Sequence, residues 1–139
     1  MRTWLLIWAL ALPLAGAGTV EEKLEASIEQ KLGRRYVWGA AGFKAYDCSG
    51  FVWRAFQDAG VLFKRTTARK LYYSLRPAGP VERSRLGTLV FFDQVHHVGI
   101  VRNRQEFYHA SSSQGTMRDH LAPYWVRLVS GYRKLNIDD

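Results

Sequence analysis

The residues of this chain that could perform nucleophilic catalysis are one cysteine and four histidines. Cys48 lies in the segment Asp47-Cys48-Ser49-Gly50-Phe51, at the predicted start of a helix. Unpaired backbone N–H groups and the helix dipole stabilise a thiolate there, so we expect them to lower the thiol pKa. The same N–H groups could donate to the oxyanion of an acyl-transfer transition state. The thiol also needs a base or an imidazolium partner, and the candidates are His96, His97, His109 and His120.

The spacing of two histidines restricts this choice. Residues 95–101 have the composition of a β-strand, in which successive side chains point to opposite faces. Only one of His96 and His97 can therefore face the helix that carries Cys48, and periodicity does not say which. His109 lies on the next predicted strand, in Tyr108-His109-Ala110-Ser111, where it could orient the first imidazole as the third member of a triad.

Residue types alone leave other interpretations open. A lone cysteine at a helix start is more often a small buried apolar residue than a nucleophile, and a lone strand histidine is more often structural or exposed. A zinc site made of Cys48, His97 and His109 is chemically feasible. The sequence lacks the closely paired C-x-x-C or H-x-x-x-H spacing that would favour such a site.

Length, charge and cysteine content restrict the class of protein. A chain of 139 residues suits one domain, and 47% hydrophobic residues indicate a globular one. The formal net charge of +8 suits an anionic partner: a cell-wall polymer, a membrane surface or nucleic acid. Nucleic acid is disfavoured because the chain has no zinc-finger, RNP or helix-turn-helix pattern. With a single cysteine, no disulfide can form within the chain.

The first 17 residues have the pattern of an export signal. Arg2 supplies a positive charge, residues 4–14 are apolar, and Ala15-Gly16-Ala17 fits cleavage between small residues. The apolar run is short for a permanent membrane span, although an uncleaved anchor is the alternative. We therefore expect a signal peptide over residues 1–17 and a single catalytic domain over 18–139. The mature protein would be periplasmic or secreted, without stable membrane insertion.

The rest of the pattern predicts helices followed by strands. Apolar residues recur at helical spacing over 20–32 and 48–59, and Thr66 or Thr67 could cap a short helix ending near residue 75. Residues 36–44 have the composition of a loop. Strands are predicted over 88–92, 95–101, 106–110 and 126–135. This order indicates an α+β fold with an antiparallel sheet.

Five blocks of this sequence, taken in order, resemble the NlpC/P60 family of cysteine peptidases. They are Tyr36-Val37-Trp38-Gly39, Asp47-Cys48-Ser49-Gly50-Phe51-Val52, Gly87-Thr88-Leu89-Val90-Phe91-Phe92, His97-Val98-Gly99-Ile100-Val101 and Tyr108-His109-Ala110-Ser111. The resemblance extends over residues 31–134. It implies a papain-like α+β core with the nucleophile at a helix N-terminus packed on an antiparallel sheet.

The resemblance also implies roles for individual residues. Cys48 would be the nucleophile, His97 its base and His109 the residue that orients His97. Tyr36 would stand beside the nucleophile and help to hold the oxyanion. Asp47 and Ser49 match positions that hold the free amine of the substrate peptide in some members, although Asp47 could equally be a helix N-cap. The implied reaction is hydrolysis of peptidoglycan stem peptides, typically between D-γ-glutamate and the diamino acid, without a metal or organic cofactor.

The sequence departs from the family pattern at one residue and in one loop. Thr88 stands where the family often has Asp, and the loop over residues 40–46 lacks the usual glycine pair.

The same fold could act as an N-acetylmuramoyl-L-alanine amidase, a related acyl transferase or a catalytically dead wall-binding module. A toxin against neighbouring bacteria would use the same chemistry. Further partners would then be a cognate inhibitor or a wall-targeting protein.

Overall fold

The computed structural model describes residues 18–137, so the predicted signal peptide lies outside the described residues. In this part of the chain the helices are α1 (Val20–Gln30), α2 (Cys48–Asp58), α3 (Ala68–Ser74) and α4 (Pro123–Leu128), with a 3-10 turn at Glu82–Ser84. The strands are β1 (Arg35–Tyr36), β2 (Ala45–Tyr46), β3 (Arg76–Pro77), β4 (Leu89–Phe92), β5 (His97–Val101), β6 (Glu106–Ser111), β7 (Gly115–His120) and β8 (Val129–Lys134). None of the helices between residues 18 and 137 has the length and apolar character needed to cross a membrane.

Helices α1 and α3 begin at threonine caps. Thr19 accepts a hydrogen bond from the Glu22 backbone N–H, and the Glu22 carboxylate accepts one from the Thr19 N–H, which forms a capping box. Thr67 caps α3 by accepting from the Lys70 N–H. Both helices confirm the predictions within two residues.

Helix α2 begins at Asp47, whose Oδ1 accepts a hydrogen bond from the Gly50 N–H at 2.6 Å. The predicted helix is confirmed, and it packs against α1, β5 and β6. Its fully buried side chains are Phe51, Val52, Ala55 and Phe56. This apolar face fixes the helix axis against the sheet, and Cys48 is its first residue.

The larger sheet has strand order β3-β8-β4-β5-β6-β7, with every neighbouring pair antiparallel. Strands β1 and β2 form a separate parallel pair that flanks the predicted loop over residues 36–44 and shares only Tyr36 with it. The α+β class predicted from the order of elements is confirmed.

The two faces of this sheet are covered differently. One face packs against α1, α2 and α3 and carries Leu89, Phe91, Val98, Ile100, Tyr108 and Ala110. The other carries Val90, Phe92, Val101 and Phe107, against which Trp125 of α4 packs. Residues of either face alternate along the strands, as pleated geometry requires.

The C-terminal part of the chain differs from the sequence-based prediction. Residues 126–135 were predicted as one strand, but 126–128 belong to α4 and only 129–134 form β8. Pro123 occupies the first position of α4. A backbone N–H at that position makes no hydrogen bond within the helix, so proline, which lacks one, is compatible with it. Packing of Trp125 on the sheet stabilises this short helix in place of an extended strand.

Two other differences affect the site. Strand β7 was not predicted because its sequence, Gly-Thr-Met-Arg-Asp-His, lacks apolar alternation; it pairs with β6 along its full length. Strand β5 begins at His97 rather than residue 95 because Asp93, Gln94 and Val95 adopt φ values of 54°, 52° and 61°. These three residues form a left-handed turn, so the extended conformation of β5 begins only after them.

The glycine of the cysteine block is required by a close backbone approach. A Cβ at residue 50 would collide with the Ala40 carbonyl oxygen and lie 2.8 Å from Asp47 Oδ1. We expect Gly50→Ala to lower the free energy of unfolding by about 1–3 kcal/mol, as other overpacked sites do. Urea denaturation of the two proteins measures this difference.

Gly42→Ala is the matched control, since no heavy atom lies within 4 Å of a Cβ built there. It should change the free energy of unfolding by no more than about 0.5 kcal/mol. Equal effects of the two substitutions would contradict the close approach at residue 50.

Candidate active site

Cys48 is nearly buried, with 8% of its surface exposed. Its Sγ lies 3.8 Å from the backbone carbonyl oxygen of His96 and also interacts with the Val98 backbone N–H. The thiol therefore contacts the backbone on both sides of His97, at the beginning of β5. The fold thus brings the first residue of α2 and the first residue of β5 together.

The environment of the thiol raises its pKa. Burial is the main cause, and the negative charge of Asp47 adds to it. Backbone N–H groups of Val98, Ser49 and Cys48 act in the opposite direction but do not outweigh the burial. The expected lowering of the Cys48 pKa by the helix N-terminus is therefore wrong as a net effect. This shift favours the neutral thiol over the thiolate.

His97 is held by a second imidazole and an indole ring. Its Nε2 lies 2.8 Å from His109 Nδ1, and its ring stacks on Trp125 at a centroid distance of 5.7 Å and an interplanar angle of 21°. Burial, with a smaller contribution from His109, lowers the pKa of His97 to about 3. The ring is therefore neutral at physiological pH, with Nδ1 as the nitrogen that could accept a proton.

The His97 ring does not face α2. Strand alternation allowed only one histidine of the pair to do so, and His97 packs with Phe92 and Trp125 on the other face of the sheet. His96 precedes β5, is exposed, and has its Nδ1 2.9 Å from the Asp93 carbonyl oxygen. The Cys48 thiol contacts the backbone at the N-terminal end of β5 and not its middle. For this reason neither His96 nor His97 has to point towards the middle of α2.

His109 lies behind His97 on β6 and is 1% exposed. Its Nε2 is 3.0 Å from Asp119 Oδ2 on β7. Burial lowers the pKa of His109, although the hydrogen bond and charge of Asp119 oppose this shift. Gly99 makes room for the arrangement, since a Cβ there would lie 3.3 Å from His109 Cβ and 2.7 Å from the Tyr108 carbonyl oxygen.

Asp119 and Trp125 were not found from the sequence. Asp119 lies on the unpredicted strand β7, and Trp125 lies on α4, which was predicted as a strand. The sequence signal that could have revealed Asp119 is a β6–β7 hairpin with its turn near residues 112–114. Such a hairpin pairs Asp119 with Phe107, whose side chain lies on the same sheet face as that of His109. Trp125 contacts both imidazoles and Phe92, and so restricts water around the two rings.

The Tyr36 phenol interacts with the backbone amide of Cys48. Burial raises the pKa of its phenol, with further contributions from the nearby Cys48 and Asp47, while the Cys48 backbone amide opposes them. A protonated phenol at this point could donate a hydrogen bond to an oxyanion.

Asp47 and Ser49 interact with Arg65. Asp47 Oδ2 accepts from the Gly39 N–H at 2.8 Å, and Oδ1 accepts from Arg65 Nη2 at 3.0 Å. Ser49 Oγ accepts from Arg65 Nη1 at 2.9 Å. Asp47 is therefore the N-cap of α2 and part of an ion pair, and any substrate group at these positions would meet the Arg65 guanidinium as well.

Two cavities meet at His96. The first, of about 730 Å³, contains Trp38, Cys48, Arg65 and Lys70 among its lining residues. The second, of about 720 Å³, is lined by Tyr36, His97, His109, Asp119 and Trp125 among others. Within residues 18–137, no group of three or more His, Cys, Asp or Glu side chains is arranged to hold a metal ion.

The low pKa of His97 should be measurable through stability. The unfolded chain protonates this histidine below about pH 6.5, whereas the folded chain does so only near pH 3. The unfolded state thus binds an extra proton in between, and lowering the pH through this window destabilises the fold. Compared with His97→Asn, the wild type should lose up to about 1.4 kcal/mol more per pH unit, measured by urea unfolding from pH 7 to pH 4. Parallel curves for the two proteins would show that His97 titrates normally.

Asp47 should contribute to the raised thiol pKa through its charge. Asp47→Asn keeps a good N-cap residue but removes that charge, so iodoacetamide should alkylate Cys48 faster at pH 8 and with a lower midpoint in its pH profile. Glu21→Gln, which removes an exposed carboxylate on α1, is the matched control and should leave the profile unchanged. An unchanged or upward-shifted midpoint in Asp47→Asn would contradict the electrostatic contribution.

Solved structures share this fold. An NLP/P60 family protein from Staphylococcus aureus, described as similar to lipoprotein, aligns with a TM-score of 0.74 and 26% identity over 86% of this chain and 42% of that chain. RipD from Mycobacterium tuberculosis, described as a non-catalytic NlpC/p60 domain protein adapted to peptidoglycan binding, aligns with a TM-score of 0.71 over 86% of this chain and 98% of its own. At 14% identity, RipD shows the fold alone.

Curated relatives agree with this likeness. A probable endopeptidase NlpC homolog of Haemophilus influenzae is 29% identical over 83% of this chain and 63% of its own length. The murein DD-endopeptidase MepS/murein LD-carboxypeptidase of Escherichia coli K12 is 35% identical over 74% of this chain and 56% of its own length. The chain thus spans less than two thirds of either relative. The sequence model of the NlpC/P60 family matches residues 33–134, and the chain belongs to that family.

Proposed function

We propose that this chain is a cysteine peptidase that hydrolyses peptide stem bonds of bacterial peptidoglycan. The observation that carries the proposal is the contact between the Cys48 thiol and the backbone flanking His97, whose imidazole is neutral and fixed by His109. A nucleophile, a base and an orienting residue on three elements of one fold are the components of thiol-dependent acyl transfer. The relatives named as murein endopeptidases support peptidoglycan as the substrate.

The mechanism begins from a neutral thiol and a neutral imidazole. As Cys48 Sγ attacks the stem-peptide carbonyl carbon, His97 Nδ1 takes the thiol proton. The oxyanion receives hydrogen bonds from backbone N–H groups at the start of α2 and from Tyr36. The C–N bond then breaks, a thioester forms, and His97 gives its proton to the departing amine.

Hydrolysis of the thioester completes the cycle. A water molecule attacks the acyl carbon while His97 removes one of its protons. The C–S bond breaks, the acyl group leaves as a carboxylic acid, and the proton returns to the sulfur. The reaction uses protein groups and water throughout.

The bond between D-γ-glutamate and the diamino acid is the first candidate for cleavage. A DD-endopeptidase activity is the second, and the Arg65 contact favours it. Since Arg65 already pairs with Asp47 and Ser49, a free amine at these positions would meet a positive charge. A cross-linked peptide without a free amine there avoids that repulsion, and two Escherichia coli relatives are named murein DD-endopeptidases.

We place this activity outside the cytoplasm, in the periplasm or the medium, with residues 1–17 as the export signal. The formal net charge of +8 favours association with an anionic wall polymer. Detection of the mature protein beginning near Gly18 in an exported fraction would test this placement.

The experiment that tests the proposal is mass spectrometry of muropeptides after purified protein is incubated with isolated peptidoglycan. Wild type should release fragments cut at one stem-peptide bond, and the masses distinguish the D-γ-glutamyl, DD-endopeptidase and amidase reactions. Cys48→Ala should release none, and His97→Ala should be slower by about 10²–10⁴-fold because the base is lost.

His120→Ala is the matched control for removal of an imidazole. His120 is exposed at the end of β7, so this variant should cleave at the wild-type rate. Unchanged muropeptides with all four proteins would mean that peptidoglycan is not the substrate or that the domain only binds it.

A further inference from the structure

Three side chains on adjacent strands form a linear hydrogen-bonded series. His97 Nε2 lies 2.8 Å from His109 Nδ1, and His109 Nε2 lies 3.0 Å from Asp119 Oδ2. His97 uses Nε2 toward His109, and His109 uses Nδ1 toward His97 and Nε2 toward Asp119. The position of the proton on one ring therefore restricts its position on the other. Asp119 is the terminal member, since its other oxygen, Oδ1, accepts from the backbone N–H of His120 at 2.8 Å.

Hydrogen-bond rules allow one proton arrangement in this series when both rings are neutral. A carboxylate only accepts, so His109 must carry its proton on Nε2 and donate it to Asp119. His109 Nδ1 is then an acceptor, and His97 must carry its proton on Nε2 to fill it. His97 Nδ1 is left as an unprotonated base. Burial lowers the pKa of both rings, which is consistent with their neutral forms.

The fold fixes the Asp119 carboxylate toward His109. The β6–β7 pairing sets Asp119 opposite Phe107, and the Phe107 ring lies 4.6 Å from the His109 ring, centroid to centroid. The Asp119 side chain is 25% exposed while the His109 side chain is 1% exposed. The carboxylate thus keeps access to water, which limits the cost of its charge, and still contacts a buried imidazole.

We propose that Asp119 is a positioning residue that fixes the tautomers of His109 and His97 and so keeps His97 Nδ1 free to accept the thiol proton. Its action on catalysis passes through two rings and rests on the proposed role of His97 as the base. When His97 becomes an imidazolium, the same carboxylate stabilises the positive charge through the neutral His109 ring.

Asp119→Asn should reverse the arrangement. The amide group of Asn can donate to His109 Nε2, which moves the His109 proton to Nδ1 and the His97 proton to Nδ1 as well. The base is then blocked with little change in shape. In serine proteases the corresponding exchange of a carboxylate for an amide reduces kcat by about 10⁴-fold through the wrong tautomer. Asp119→Ala removes the acceptor without adding a donor, so its loss should be smaller than that of Asp119→Asn.

The first measurement is long-range ¹H–¹⁵N NMR of the histidine rings at pH 7, which reads the tautomers without any substrate. Wild type should show Nε2–H for His97 and His109, and Asp119→Asn should show Nδ1–H for both. The second measurement is muropeptide release, in which Asp119→Asn should lose about 10²–10⁴-fold in kcat with KM little changed. His120→Ala, the matched control, should retain the wild-type tautomers and rate.

An Nδ1–H tautomer of His97 in the wild type would overturn the proposal, even if the Asp119 variants failed to fold. Wild-type tautomers and kcat in Asp119→Asn would overturn it as well, as would an equal or larger loss of kcat in Asp119→Ala. The NMR result is independent of the substrate. Tautomer reversal together with inactive wild-type protein would therefore refute the proposed function while sustaining the role of Asp119.

Discussion

The carboxylate of Asp47 joins three segments of the chain at the point where the site forms. It accepts hydrogen bonds from the backbone N–H groups of Gly39 and Gly50 and from the Arg65 guanidinium. The first fixes the segment between β1 and β2, the second begins α2, and the third ties down the chain before α3. Cys48 follows Asp47 directly, so these bonds set the position of its thiol. The negative charge of Asp47 also contributes to the raised pKa of the Cys48 thiol.

Burial has a consistent effect on the protonation of the three central groups. It raises the pKa of the thiol and lowers the pKa of both imidazoles, so each group is kept in its neutral form. In the proposed mechanism, charge develops only when the substrate carbonyl is attacked. In that mechanism, backbone N–H groups and Tyr36 stabilise the oxyanion, and Asp119 stabilises the imidazolium through His109. The N-terminus of α2, in that mechanism, donates to the oxyanion and does not ionise the resting thiol.

Membership of the NlpC/P60 family does not by itself decide activity. RipD shares the fold and is described as non-catalytic, and function depends on the site that a fold carries. In this chain the site contains a thiol at the end of β5 and two hydrogen-bonded imidazoles. In the proposed function, the Arg65 guanidinium beside Asp47 and Ser49 bears on which peptide end can bind there.

The sequence by itself determined the helix that carries Cys48, the strands that carry His97 and His109, and the α+β class. These features depend on local periodicity and on capping, which a single segment contains. Thr88 illustrates the limit of local patterns: its hydroxyl donates to the Glu82 carbonyl oxygen across an intervening turn, a contact that its identity alone does not predict. Tertiary structure decided that His97 packs under Trp125 and that Asp119 reaches His109. Both contacts depend on α4 and β7, short elements with weak local signals that are stabilised by packing on, or pairing with, a sheet formed from distant segments.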